Sequence, residues 1–114
     1  MGQGSKWCRP STRLAIYARD GWRCVYCRRG AEQASVGLTL DHLVPCMIGG
    51  SNEATNLVTA CHSCNSRRQA LTVRAFVRRL GAAGAGVADR IRRLVRRPLD
   101  RAEGRRLIAL RCAS

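Results

Sequence analysis

The chain of 114 residues has few aromatic and few acidic side chains. Phe, Trp and Tyr make up 4% of it, and seven Asp and Glu oppose 21 Lys and Arg, giving a formal charge of +14. A core with so few rings must be small and aliphatic, and a domain of this length often needs a staple such as a bound metal. The charge makes a polyanion the expected partner, either nucleic acid or an acidic membrane surface.

Long apolar runs are also missing. The longest stretch without Asp, Glu, Lys or Arg covers residues 54–66, and it contains a His, two Asn and two Cys, so no membrane-spanning helix is predicted. The first six residues lack the apolar region of a signal peptide. We therefore expect a cytoplasmic protein, in which clustered cysteines bind metal more often than they form disulfides.

The positive charge is concentrated in the C-terminal part. Residues 67–114 carry 14 Arg and three acidic side chains, whereas residues 1–66 carry seven basic and four acidic ones. Arg binds phosphate through two parallel hydrogen bonds, which favours contact between this tail and a phosphate backbone. The alternative is that the Arg side chains are only the solvated faces of packing helices. A membrane-surface role is disfavoured because the tail lacks a face rich in Trp or Phe.

Four of the seven cysteines form two C-x2-C hooks, Cys24 with Cys27 and Cys61 with Cys64. Two such hooks complete a closed tetrahedral site of the kind that holds structural Zn²⁺. Because metal binding is coupled to folding, this site would supply stability that the small core lacks. The other three cysteines are expected to be small buried residues or unused thiols: Cys8, Cys46 and Cys112.

Between the hooks lies a second group of chemically useful residues. Asp41 and His42 stand at the end of a predicted strand, and Asn65 follows the last cysteine of the second hook. Asp41 and Asn65 offer oxygen ligands suited to a hard divalent cation such as Mg²⁺. His42 can take a proton from water near neutral pH. Together they are the minimum set for hydrolysis of a phosphodiester.

Residues 19–68 carry a D-H pair, a Gly-Gly loop, an N-L dipeptide and a final C-x2-C-N, in that order. This stretch resembles the HNH endonucleases of the ββα-metal type, in the H-N-N variant with a four-cysteine zinc site. It is also similar to phage endonuclease VII, a Holliday-junction resolvase. The resemblance implies a bacterial or phage setting and a metal-dependent DNA endonuclease that acts on double-stranded DNA, with Mg²⁺ or Mn²⁺ as the catalytic cation.

The resemblance also implies a role for individual residues. His42 would be the general base, and Asn56 would fix the loop and orient that histidine. Asp41 and Asn65 would hold the catalytic cation. Arg67 and Arg68 fall where the family often has a basic residue near phosphate, and Arg74 and Arg78 extend that set into the tail. Cys46 stands where many relatives carry Arg or another polar residue after the Pro, so the resemblance does not extend to one possible phosphate contact, while the metal site is unaffected.

The predicted fold class is α+β, a small ββα-metal finger stapled by the four cysteines. We divide the chain into an N-terminal helical arm (1–20), a nuclease core (21–70) and a helical basic extension (71–114). The extension is predicted to contain a helix capped by Thr72, a Gly/Ala-rich linker over residues 81–87, and a last helix with a capping box from Asp100 to Glu103. The hairpin would pair residues 38–41 with a second strand in the loop region, and a helix would begin near Cys64.

Two functional hypotheses remain open from the sequence. The first is the endonuclease, as a monomer or a dimer, and the second is a non-catalytic zinc-stapled module that binds nucleic acid. A pure binding module has no need of a base beside two oxygen ligands. If the first is right, Asp41→Ala and Asn65→Ala should abolish cleavage and keep the fold.

Overall fold

The computed structural model describes residues 7–32 and 37–113, with the side chains of the last two residues of that range excepted. The side chain of Cys112 therefore lies outside the described part of the chain. The helices and strands, in chain order, are α1 (Pro10–Arg19), β1 (Leu38–His42), β2 (Leu57–Cys61), α2 (His62–Arg68), α3 (Val73–Leu80), α4 (Val87–Val95) and α5 (Arg101–Ala113).

The centre of the fold is a β-hairpin followed directly by a short helix. β1 and β2 pair antiparallel, with Leu38 opposite Cys61 and His42 opposite Leu57. α2 begins at the residue after β2, so the second hook spans the junction between strand and helix. The predicted α+β class, with a ββα unit and a four-cysteine cluster, is confirmed.

β2 is the central element because all five of its residues are buried. Side chains of successive strand residues point to opposite faces. Val58 and Ala60 belong to a core cluster with the first hook, α3 and α4, whereas Leu57 belongs to a second cluster with α1. The strand therefore separates two small cores, which are mostly aliphatic but between them take in all five aromatic side chains of the protein.

α1 is tied to β2 by a buried ion pair at its C-terminal end. Nε of Arg19 donates to the carboxylate of Asp20 at 2.7 Å, and the guanidinium also donates to the carbonyls of Ala54 and Leu57. Asp20 in turn accepts from the backbone N–H of Thr59 at 2.8 Å. Residues 19 and 20 therefore anchor the N-terminal helix to the hairpin.

The C-terminal extension follows the predicted pattern in part. The hydroxyl of Thr72 accepts from the N–H of Ala75 at 3.0 Å, and Asp100 accepts from the N–H of Glu103 at 3.0 Å, so both predicted N-caps are confirmed. The linker predicted over residues 81–87 is wrong. Gly81–Gly84 forms a 3₁₀ turn in which Gly84 is buried against α3, where a Cβ atom would lie 2.4 Å from the carbonyl oxygen of Val77.

α5 packs along α1, so the last helix of the described chain contacts the first. Gly104 lies at the contact, where a Cβ atom would be 2.1 Å from the carbonyl oxygen of Ser11. Only glycine permits this approach of the two helices. In the described part of the chain, no helix is both long and apolar enough to cross a membrane.

Gly104→Ala tests this helix contact. In an exposed helix interior, replacing Gly by Ala stabilises by about 1 kcal/mol. Here the added methyl group collides with the backbone of α1, and overpacking of this kind costs about 1–3 kcal/mol. We expect a lower free energy of unfolding in urea, followed by circular dichroism. A variant as stable as the parent, or more stable, would contradict the close approach.

Candidate active site and metal centre

The two cysteine hooks meet and form a metal centre. The sulfur atoms of Cys24, Cys27, Cys61 and Cys64 all lie within 4.8 Å of one another, and three of the four residues are buried. Four sulfur ligands at this spacing fit a single tetrahedral ion of the Zn²⁺ type. The described residues contain no other group of three or more His, Cys, Asp or Glu that could hold a metal.

In each hook, backbone N–H groups point at the sulfur atom of the first cysteine. The N–H groups of Tyr26 and Cys27 point at Sγ of Cys24, at 3.4 and 3.5 Å, and the N–H of Cys64 points at Sγ of Cys61 at 3.4 Å. Such donors stabilise thiolates. The hydrogen bond between the thiols of Cys24 and Cys64 lowers the pKa of Cys24 and raises that of Cys64.

An arginine adds positive charge at the outer side of the metal centre. Nε of Arg29 lies 3.4 Å from Sγ of Cys27, and its second terminal nitrogen lies 3.7 Å from Sγ of Cys61. These contacts, first of all the hydrogen bond with Cys27, raise the pKa of Arg29. The guanidinium thus offsets part of the negative charge that four thiolates would concentrate there.

A separate cleft of about 270 Å³ brings together the three residues singled out for phosphodiester chemistry. Asp41 and His42 reach it from the end of β1, and Asn65 reaches it from α2. The side chain of Asn65 is partly buried and makes no hydrogen bond with the described part of the chain. Its amide is therefore open to the cleft.

Asp41 is buried and already has two partners. Its Oδ2 accepts from the hydroxyl of Tyr26 at 2.6 Å and from the guanidinium of Arg68 at 2.6 Å. Neither donor contacts Oδ1, which has no protein partner among the described residues. Burial, followed by the charge of Asp41, raises the pKa of Tyr26, so the phenol stays protonated and donates.

Arg68 is a structural residue of the interior. Its side chain is 1% exposed, and besides Asp41 it donates to the backbone carbonyls of His42, Leu43 and Leu71. The prediction that Arg68 contacts nucleic acid is therefore wrong, because the guanidinium is enclosed and its donors are taken. The same bonds connect α2 to the end of β1. By contrast, the other three predicted contacts are exposed: Arg67, Arg74 and Arg78.

His42 is held by two residues that the sequence pattern did not indicate. Its Nε2 lies 2.8 Å from the amide oxygen of Asn52, and its ring packs against Trp7 with centroids 4.7 Å apart. With the amide in this orientation, Nε2 carries the ring proton, since a carbonyl oxygen can only accept. Nδ1 then keeps its lone pair.

Asn56 contacts the loop and not the ring of His42. Its side-chain oxygen accepts from the N–H of Val44 at 2.9 Å, and its amide donates to the carbonyls of Val44 and Ser51. The loop between the strands is thus closed by one side chain. The direct contact with His42 comes from Asn52, which this closed loop presents.

Two cysteines of the described chain, Cys8 and Cys46, lie outside the metal centre, and Cys46 lines the cleft with Asp41 and His42. Cys8 is buried in the cluster around α1, where burial raises its pKa. Cys46 is partly exposed, with its sulfur 3.6 Å from the amide oxygen of Asn52. Cys46 is thus a natural control for the four clustered residues.

Cys24→Ser and Cys61→Ser should remove the metal and unfold the centre of the protein. A structural Zn²⁺ site supplies about 10–16 kcal/mol, which matches or exceeds the whole stability of a small domain, about 5–15 kcal/mol. Zinc content by mass spectrometry and the far-ultraviolet circular dichroism spectrum measure both effects. Cys46→Ser should keep one zinc per chain. Equal zinc content in all three variants would contradict the site.

Arg68→Met should strongly destabilise the fold, because it leaves the buried Asp41 carboxylate without its charge partner. Loss of one member of a buried pair costs about 3–5 kcal/mol. Arg67→Met, a matched change at the neighbouring exposed position, should cost less than about 0.5 kcal/mol. Urea unfolding of the two variants gives the difference. Similar values for both would mean that the ion pair does not stabilise the fold.

Comparison with known proteins points to one family. A family model described as HNH endonuclease matches residues 24–81, just over half of the chain, and this segment spans both hooks, the hairpin and α2. No curated protein and no solved structure matches significantly. With its ββα unit, its four-cysteine cluster and this match, the chain belongs to the HNH endonuclease family.

Proposed function

We propose that the protein is a metal-dependent DNA endonuclease, with His42 as general base and one divalent cation held by Asp41 and Asn65. The observation that carries the proposal is the shared cleft, into which one strand end and one helix bring these three side chains. A base beside two oxygen ligands is the arrangement that hydrolysis of a phosphodiester needs. Structural Zn²⁺ in the four-cysteine centre would hold the strand and the helix in place.

The surroundings of His42 support its role as a base. The side-chain oxygen of Asn52 accepts a hydrogen bond from Nε2–H, which leaves the lone pair of Nδ1 to take a proton from the attacking water. Trp7 packs on the ring and restricts its rotation. An imidazole fixed in one tautomer and one orientation avoids the cost of reorganising during the reaction.

The residues of the cleft fit a catalytic cation of the Mg²⁺ or Mn²⁺ type. Oδ1 of Asp41 and the amide of Asn65 are free of protein partners in the described chain, and both are hard oxygen donors. Arg68 offsets the charge of Asp41, so we infer a weakly bound cation that arrives with the substrate. When bound, such a cation stabilises the charge that develops on the phosphate and the departing oxygen.

The charge distribution supports a nucleic acid as the substrate, and we propose that it is double-stranded DNA. A net charge of +14 favours a polyanion, and HNH domains act on nucleic acids. We retain Arg67, Arg74 and Arg78 as proposed backbone contacts, since all three are exposed.

His42→Ala should lower plasmid nicking in Mg²⁺ or Mn²⁺ by about 10²–10⁴-fold, the usual contribution of a general base. Asn65→Ala should also lower it, by weakening the cation, and more added metal should restore part of the rate. The conversion of supercoiled to open-circular plasmid by the zinc-loaded protein measures each rate.

The variant at Asp41 must be chosen with Arg68 in mind. The expectation that Asp41→Ala keeps the fold is revised, because this change would leave the buried guanidinium unpaired. Asp41→Asn keeps an acceptor for Arg68 and Tyr26 and removes the negative charge that the cation needs. Thermal unfolding of each variant serves as the control. If folded, zinc-loaded parent protein nicks no plasmid with any divalent cation, the binding-module hypothesis replaces the endonuclease.

A further inference from the structure

A groove of about 640 Å³ runs between α1, α5 and the loop before β2. Its charged lining consists of Arg9 from the start of α1, Arg101 and Arg105 from α5, and a single carboxylate, Glu53. Three exposed guanidiniums against one carboxylate leave a net charge of +2 within one concave surface. The groove lies outside the cleft that contains Asp41 and Asn65.

The groove adjoins the proposed catalytic histidine. Trp7 and Asn52 both line it, and these are the two residues that hold the imidazole of His42 by ring contact and hydrogen bond. A ligand in the groove would therefore lie one side chain away from the base. Neighbouring phosphates of one DNA strand are separated by about 3.4 Å along the helix axis, so a duplex cleaved at His42 must place further phosphates beside it.

The polar groups of the groove are donors of the kind that contact phosphate. Each Arg offers a planar fork of N–H groups, and the hydroxyls of Ser11, Thr12 and Thr55 stand among them. Arg105 makes no hydrogen bond with the described part of the chain, so its donors are available. Arg101 has one long contact of 3.4 Å with the Thr12 hydroxyl, which a phosphate oxygen could replace.

We propose that the groove between α1 and α5 binds the phosphate backbone of double-stranded DNA next to the cleavage position, through Arg9, Arg101 and Arg105. The proposal rests on the endonuclease function, because it uses the position of His42 to set where the strand runs. The packing of α5 along α1 would then have a functional role, because it forms the groove. The first and the last helix of the described chain would together form one side of the DNA-binding surface.

The test compares two triple variants with equal changes in charge. The first is Arg9→Gln, Arg101→Gln and Arg105→Gln, and the second changes three exposed positions near the end of α4: Arg93, Arg96 and Arg97. Both are made in the His42→Ala protein. Binding to a short fluorescein-labelled DNA duplex is followed by anisotropy over a range of salt concentrations, with no added divalent cation and no chelator, so that the cysteine site keeps its metal.

The groove variant should bind about tenfold or more weakly, and the slope of log K against log salt should fall by about 1 for each lost phosphate contact. The α4 variant should change binding by less than about threefold. Equal weakening in both variants, or a groove variant that binds like its parent, would overturn the proposal. So would an RNA duplex that competes for the groove more strongly than DNA does.

Two further measurements keep the result interpretable. Thermal unfolding checks that the groove variant is folded, and Arg105→Gln alone, compared with Arg93→Gln, replaces the triple variants if it is not. Plasmid nicking by the protein with His42 intact is measured separately. Selective loss of DNA binding without any nicking by the parent supports the groove and rejects the endonuclease. If the parent nicks plasmid and the groove variant binds DNA as its parent does, the endonuclease is supported and the groove is rejected.

Discussion

The gathering of four sulfur atoms within 4.8 Å is the constraint on which the rest of the structure depends. The two hooks lie 33 residues apart in the chain, and the segment between them contains the whole hairpin. One hook follows α1 and the other joins β2 to α2, so a single ion held by the four sulfur atoms would fix the starting direction of the helix that carries Asn65. A chain with five aromatic residues could not set this direction by packing alone.

Besides the four-cysteine cluster, two buried ion pairs hold the helices against the hairpin. Arg19 with Asp20 ties α1 to β2, and Arg68 with Asp41 ties α2 to the end of β1. Each Arg also donates to backbone carbonyls, which repays part of the cost of removing the charges from water. The second pair has a further consequence. Arg68 positions the carboxylate of Asp41, which is proposed to hold the cation. The same guanidinium offsets the negative charge of that carboxylate, so one ion pair would affect both the fold and the affinity for the cation.

The sequence was informative wherever spacing alone decides the chemistry. The two C-x2-C hooks and the caps at Thr72 and Asp100 could be predicted because each depends on a short local pattern. The hairpin was implied by the family resemblance, which left the second strand in the loop region, whereas β2 is Leu57–Cys61. Arg68 could not be recognised as buried, since an Arg next to an exposed Arg looks like a surface residue until the fold places it against Asp41. The contact of Asn52 with His42 depends on how the loop is closed, and the turn at Gly81–Gly84 depends on its packing against α3. Both features depend on tertiary contacts, which local sequence patterns do not predict.

The position of α5 changes the meaning of the chain's high charge. In the sequence the positive charge belongs to the tail, far from His42, and it suggests only a general attraction to polyanions. In the fold α5 lies along α1, so Arg101 and Arg105 reach the same groove as Trp7 and Asn52. Part of the positive charge of the tail therefore lies close to His42, the proposed base. Such an arrangement would favour a substrate whose backbone continues from the cleft into the groove, because the proposed cation and the guanidiniums would then act on successive phosphates of one strand.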